Sequence, residues 1–102
     1  PPCMRGLRVD PYHVVGHING DLFALATRIR NQLRREGGSL MVLSDGLGNI
    51  MAPRVGIPSA ARLQLESSSH IVGVYTATAL VSDIESDLRE QLWELICPKE
   101  CM

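Results

Sequence analysis

The 102-residue sequence has few aromatic residues and no long hydrophobic run. Aromatic side chains make up only 4% of the chain, so we expect a core built from Leu, Val, Ile and Ala. No stretch of about 18 apolar residues is present, which argues against a membrane-spanning helix. Residues 1–6 also lack the apolar segment of a signal peptide. These absences predict a soluble, cytoplasmic protein.

The sequence also lacks a strong net charge, although its charges are unevenly distributed. The formal net charge is −1, yet residues 1–62 are rich in arginine and residues 63–102 are rich in Asp and Glu. Lys99 is the only lysine, and guanidinium groups suit forked contacts to carboxylate or phosphate. The opposite charges suggest that the two parts of the chain, or two copies of it, neutralise each other.

Length and composition predict one domain covering residues 1–102. Apolar residues make up 45% of the chain and charged residues 21%, which is typical of a folded rather than a disordered protein. A chain of this length lies within the usual range for one domain.

Two segments show the apolar periodicity of amphipathic helices. The first covers about residues 20–36, where Asn19 or Asp21 can cap the first turn and Gly37-Gly38 ends the helix. The second covers about residues 83–97, and Pro98 stops it.

The start of the second helix has the pattern of a capping box. Ser82 stands at the cap position and Glu85 follows three residues later, so each side chain can bond to a free amide of the first turn.

Strand composition appears in several short segments between and before the helices. They are residues 12–18, 39–43, 50–52, 62–66 and 70–81. Two glycines at 46 and 48 predict a turn between the second and third of these segments.

This order predicts an α+β fold in two layers, with a mainly antiparallel sheet of four to five strands and both helices on one face. Residues 70–81 are expected to form a central strand. Val72 and Val74 would point to one side of it, and Ile71 and Tyr75 to the other. Neither side is strongly polar, so a second subunit is a candidate to cover the face that the helices leave open.

Four arginines near the end of the first helix form a candidate binding site for phosphate groups. They are Arg28, Arg30, Arg34 and Arg35. Such a cluster can follow a nucleic-acid backbone, but no aromatic residues alternate with the arginines to stack on bases. Cations also favour the C-terminal end of a helix without binding a ligand.

Histidine and cysteine residues give a candidate zinc site. His13, His17, Cys97 and Cys101 would supply four suitable ligands if the two ends of the chain met. The Cys-x-x-x-Cys spacing differs from that of common zinc motifs, and an odd number of cysteines is typical of free thiols. We therefore expect no cofactor, with zinc as the alternative.

The terminal Pro1 permits a further enzymatic interpretation, because a secondary amine can act as a base. Arg8 and Arg35 would be its candidate partners. A fragment boundary explains the same residue without any chemistry.

The function favoured by these patterns is a non-catalytic protein–protein interaction or assembly module that forms homo-oligomers. One alternative is a nucleic-acid binder, including an RNA binder, that uses the arginine-rich first helix. The other is a small enzyme or zinc protein that uses His13 and His17 with the terminal cysteines, or Pro1.

Overall fold

The computed structural model describes residues 14–97, which form a four-stranded antiparallel sheet and three helices. The elements are β1 (Val14–His17), α1 (Leu22–Glu36), β2 (Ser39–Ser44), β3 (Asn49–Met51), α2 (Ser59–Ser67), β4 (His70–Thr76) and α3 (Val81–Ile96). The strand order is β1–β3–β2–β4, so β1 and β4 are the sheet edges. The predicted α+β class is confirmed. Within residues 14–97, no helix is both long enough and apolar enough to cross a membrane.

Both ends of α1 are fixed by local hydrogen bonds. The carboxylate of Asp21 accepts a hydrogen bond from the amide of Ala24 at 3.1 Å, which satisfies one of the free amides of the first turn. At the other end, Gly37 has φ +73° and donates its amide to the carbonyl of Leu33 at 2.8 Å. Glycine adopts this backbone conformation without steric penalty, so α1 stops where the sequence predicts.

The capping box expected at the start of α3 is not formed. The helix begins at Val81, and Leu80 occupies the cap position without a side-chain hydrogen bond. The carbonyl of Leu80 accepts the amides of Asp83 and Ile84. Ser82 therefore lies inside the first turn, where its hydroxyl cannot cap it.

The larger core lies between one face of the sheet and the helices α1 and α3. Its buried members from the helices are Leu25, Ala26, Ile29, Leu33, Ile84 and Leu88. The strands and adjoining loops contribute Val15, Ile18, Leu40, Val42, Ile50, Ala52 and Tyr75. Tyr75 is the single aromatic residue in this set, so aliphatic side chains supply most of the hydrophobic stabilisation.

The predicted strand at residues 62–66 is wrong, because these residues belong to α2. The alternation of Leu63 and Leu65 with polar residues resembles a strand, but Leu63 is exposed whereas Leu65 is buried. Leu65 packs with Leu43 and Met51 in a second, smaller core. Leu65 is the only buried residue of α2, so this helix leaves no clear apolar periodicity in the sequence.

The predicted central strand at residues 70–81 is also wrong in its position and length. β4 ends at Thr76 and lies at the edge of the sheet, where β2 is its hydrogen-bonded neighbour. High β-propensity records residue types that suit a pleated surface. It carries no information on how many strands lie on either side.

Candidate interaction surface

Among residues 14–97, α2 covers only part of the sheet face opposite α1 and α3, which we call the open face. Met41 pairs with Val74 across β2 and β4, and Leu43 pairs with Ile71. Directly paired residues project to the same side of a sheet. Met41 and Leu43 pack in the smaller core with Leu65 of α2, so Ile71 and Val74 also lie on the open face.

Three residues of the open face form a group that we call the apolar strip: Met41, Ile71 and Val74. Ile71 is 59% exposed and Val74 is 57% exposed, whereas Met41 is half-buried. Scattered apolar side chains are normal on a surface. Here they occupy adjacent positions on paired strands, and together they form a continuous apolar surface beside α2.

A β-bulge explains why sequence reasoning placed Ile71 and Val74 on opposite sides of the strand. Val42 pairs with Gly73 and the next residue, Leu43, pairs with Ile71. Val72 is therefore an extra residue, and the alternation of faces is interrupted there. The predicted grouping of Ile71 with Tyr75 is wrong for this reason.

Tyr75 holds β4 against α3 from the other face of the sheet. Its side chain is 7% exposed, and its hydroxyl donates a 2.6 Å hydrogen bond to Oδ2 of Asp87. The ring lies over Gly73, where any Cβ would overlap it. Burial, and then the hydrogen bond and negative charge of Asp87, raise the pKa of Tyr75 far above its ordinary value.

The turn between β2 and β3 is organised by Asp45. Its Oδ1 accepts the amides of Leu47 at 2.8 Å and Asn49 at 3.1 Å, and its Oδ2 accepts the side-chain amide of Asn49 at 2.7 Å. Burial acts to raise the pKa of Asp45, but these hydrogen bonds outweigh it and lower the pKa. The carboxylate of Asp45 therefore stabilises the turn by accepting these three hydrogen bonds.

His17 links the end of β1 to this turn through both ring nitrogens. Nδ1 accepts the amide of Asn19 at 3.2 Å, and Nε2 lies 3.1 Å from the carbonyl oxygen of Leu47, to which it can donate. With Nδ1 as an acceptor, Nε2 is the ring nitrogen available to donate to Leu47. The ring also occupies the space next to Gly48, where a Cβ would overlap it.

The structure places two of the four candidate zinc ligands. His17 uses its ring nitrogens as described, and Cys97 is a half-buried free thiol. His13 and Cys101 lie outside the described residues. Among residues 14–97, no group of three or more His, Cys, Asp or Glu side chains is arranged to hold a metal ion. The zinc site stays a prediction.

The four candidate arginines lie on two different sides of α1. Arg28 and Arg35 line one shallow depression with Val15 and Asn31. Helical spacing places Arg30 and Arg34 well away from that side. They therefore do not converge on one binding surface.

Arg28 has a local role in the fold. Its guanidinium donates a 3.1 Å hydrogen bond to the carbonyl of Val15, at the irregular position between Val14 and Gly16 in the pairing of β1 with β3. A Cβ at position 16 would lie 3.0 Å from this guanidinium.

The candidate enzymatic residues Pro1 and Arg8 lie outside the described part of the chain.

Comparisons with protein-family models, curated proteins and solved structures give no match.

Proposed function

We propose that this protein is a non-catalytic assembly module that forms a homodimer by burying the open face of its sheet. The apolar strip carries this proposal, because Ile71 and Val74 are more than half exposed and adjoin Met41. Removal of apolar surface from water is the dominant favourable contribution to most protein–protein associations. A second sheet packed on the strip would provide that burial.

The distribution of charge favours a second copy as the occupant. The apolar strip contains no charged residue, so two strips can meet around a twofold axis without placing like charges together. The acidic side chains of α3 lie on the other side of each sheet. Because stacked sheets pack about 10 Å apart, this arrangement keeps the two acidic helices on the outside of the dimer.

The nucleic-acid alternative has weaker geometric support. The candidate arginines are divided between two sides of α1, and Arg28 already binds the carbonyl of Val15. Protein–protein association is therefore the function that the described residues support best.

Sedimentation velocity of the wild type and of Ile71→Lys and Val74→Lys tests this function. We expect the wild type to sediment as a dimer, and each variant as a folded monomer, because a buried lysine without a partner opposes association. Leu47→Lys is the matched control, since Leu47 is 80% exposed and lies in the β2–β3 turn. It should remain dimeric.

Two results would overturn the proposal. One is a monomeric wild type throughout the micromolar range. The other is a folded Ile71→Lys variant that associates as strongly as the wild type. Circular dichroism of each variant confirms folding before sedimentation is interpreted.

A further inference from the structure

The two edges of the sheet differ in how they are protected from pairing with another strand. β1 has an irregular register within its described residues Val14–His17, and its Val15 carbonyl is bound by Arg28. β4 has seven residues and contains no Asp, Glu, Lys, Arg or Pro. Charges, prolines, bulges and short length are the usual means of blocking an edge. β4 has one bulge, and no other strand of residues 14–97 pairs with its outer edge.

The strand β4, which forms this outer edge, is held in a defined conformation. Residues 73–76 pair in regular register with residues 39–42 of β2. The hydrogen bond from Tyr75 to Asp87 ties the same stretch to α3. A strand that is already ordered can accept a further strand without a large additional loss of conformational entropy.

An acidic stripe of α3 begins next to β4. Its members are Asp83, Asp87, Glu90 and Glu94, whose spacing places them on one side of the helix. Asp87 contacts Tyr75 of β4, and Asp83 also acts electrostatically on Tyr75. The N-terminal half of the stripe therefore lies next to β4, and helical spacing continues it along the same side of α3. Arg89, the only arginine of α3, instead pairs with Glu85 at 3.1 Å.

We propose that the outer edge of β4 binds an extended segment of another protein, in which basic and apolar residues alternate. The segment adds to the sheet as a fifth strand through main-chain hydrogen bonds. Successive side chains of a strand point to opposite faces, so its basic residues face the acidic stripe and its apolar residues extend the apolar strip.

The acidic charge of α3 makes a second β4 strand a poor occupant of this edge. Antiparallel pairing of two β4 strands would bring the acidic stripes of both copies together, and like charges oppose association. A basic segment gains from the same stripe. The main-chain edge of β4 is not part of the proposed dimer interface on the open face, although the apolar side chains of an added strand would adjoin that interface.

A fluorescein-labelled heptapeptide of alternating lysine and valine, beginning and ending with lysine, is the probe. Fluorescence anisotropy measures its binding to the full-length protein. A peptide of the same composition with its lysines and valines in separate blocks is the peptide control. Hydrogen exchange of the protein amides locates the bound peptide.

Two double variants with the same change in net charge test the acidic stripe. Glu90→Gln/Glu94→Gln removes two members of the stripe, whereas Glu66→Gln/Glu85→Gln removes two acidic residues elsewhere. Each exposed ion pair changes affinity by roughly two- to fivefold, so we expect the stripe variant to bind roughly tenfold more weakly. The control variant should bind like the wild type.

The proposal predicts saturable binding of the alternating peptide only, with new protection of amides in β4. Equal binding of the two peptides, protection at another element, or no binding would overturn it. Protection of the outer β4 amides in the protein alone would also overturn it, because residues 1–13 or a second copy would then occupy the edge. Sedimentation of the same samples reports separately on the dimer.

Discussion

Replacing Gly48 by alanine is expected to destabilise the fold through His17, and Gly46 provides the matched control. Both glycines lie in the β2–β3 turn with positive φ, +83° at Gly46 and +102° at Gly48. A Cβ at Gly46 meets no atom within 4 Å, whereas a Cβ at Gly48 overlaps the ring of His17. The two substitutions therefore share the backbone strain and differ in the contact with the ring.

The expected magnitudes follow from this difference. A left-handed backbone costs a non-glycine residue roughly 1–2 kcal/mol, which is the whole effect expected for Gly46→Ala. Gly48→Ala also displaces the ring of His17, which loses its hydrogen bonds with Asn19 and Leu47. Each is worth about 0.5–1.5 kcal/mol. We expect Gly48→Ala to lower the free energy of unfolding by roughly 3 kcal/mol.

Urea denaturation at pH 7 measures both effects, and a double-mutant cycle isolates the contact with the ring. In a His17→Ala background the overlap disappears, so the cost of Gly48→Ala should fall to that of Gly46→Ala. Equal costs for the two glycine substitutions in the wild-type background would refute the placement of His17 over the turn. That result would also mean that the turn does not hold the His17 ring, which would then be available for other roles, including metal binding.

Two further substitutions test how β4 and α2 are attached. Tyr75→Phe removes the hydrogen bond to Asp87 and should cost roughly 1.5 kcal/mol at neutral pH. Because the pKa of Tyr75 is raised above its ordinary value of 10.0, its stabilising effect is present below pH 10 and is lost as the pH rises further. Denaturation between pH 8 and 11 should show the wild type approaching the variant. Leu65→Ala should lower the free energy of unfolding by about 2–3 kcal/mol. Amide hydrogen exchange should increase mainly in α2. An equal loss of protection in β2 would contradict the role of Leu65 as an anchor of α2 alone.

Sequence reasoning succeeds where a feature depends on neighbouring residues. The cap at Asp21 and the stop at Gly37 are local hydrogen-bond and backbone effects, so the bounds of α1 follow from composition. The turn at Asp45 is local for the same reason.

Features that depend on distant residues were missed. The helical state of residues 59–67 is supported by the burial of Leu65 against Leu43 and Met51, which no local pattern reveals. The bulge at Val72 is defined by pairing with β2. A glycine within a strand, such as Gly73, is compatible with a bulge, but it does not specify which face each neighbour takes. The apolar strip therefore becomes visible only in the folded sheet.

Native mass spectrometry of the untagged protein at neutral pH tests assembly through the open face most directly. Assembly through the open face predicts a dominant species at twice the chain mass of 11.2 kDa, and its replacement by the single-chain mass in Ile71→Lys. A wild-type protein that appears only at the single-chain mass at micromolar concentration would rule out this assembly.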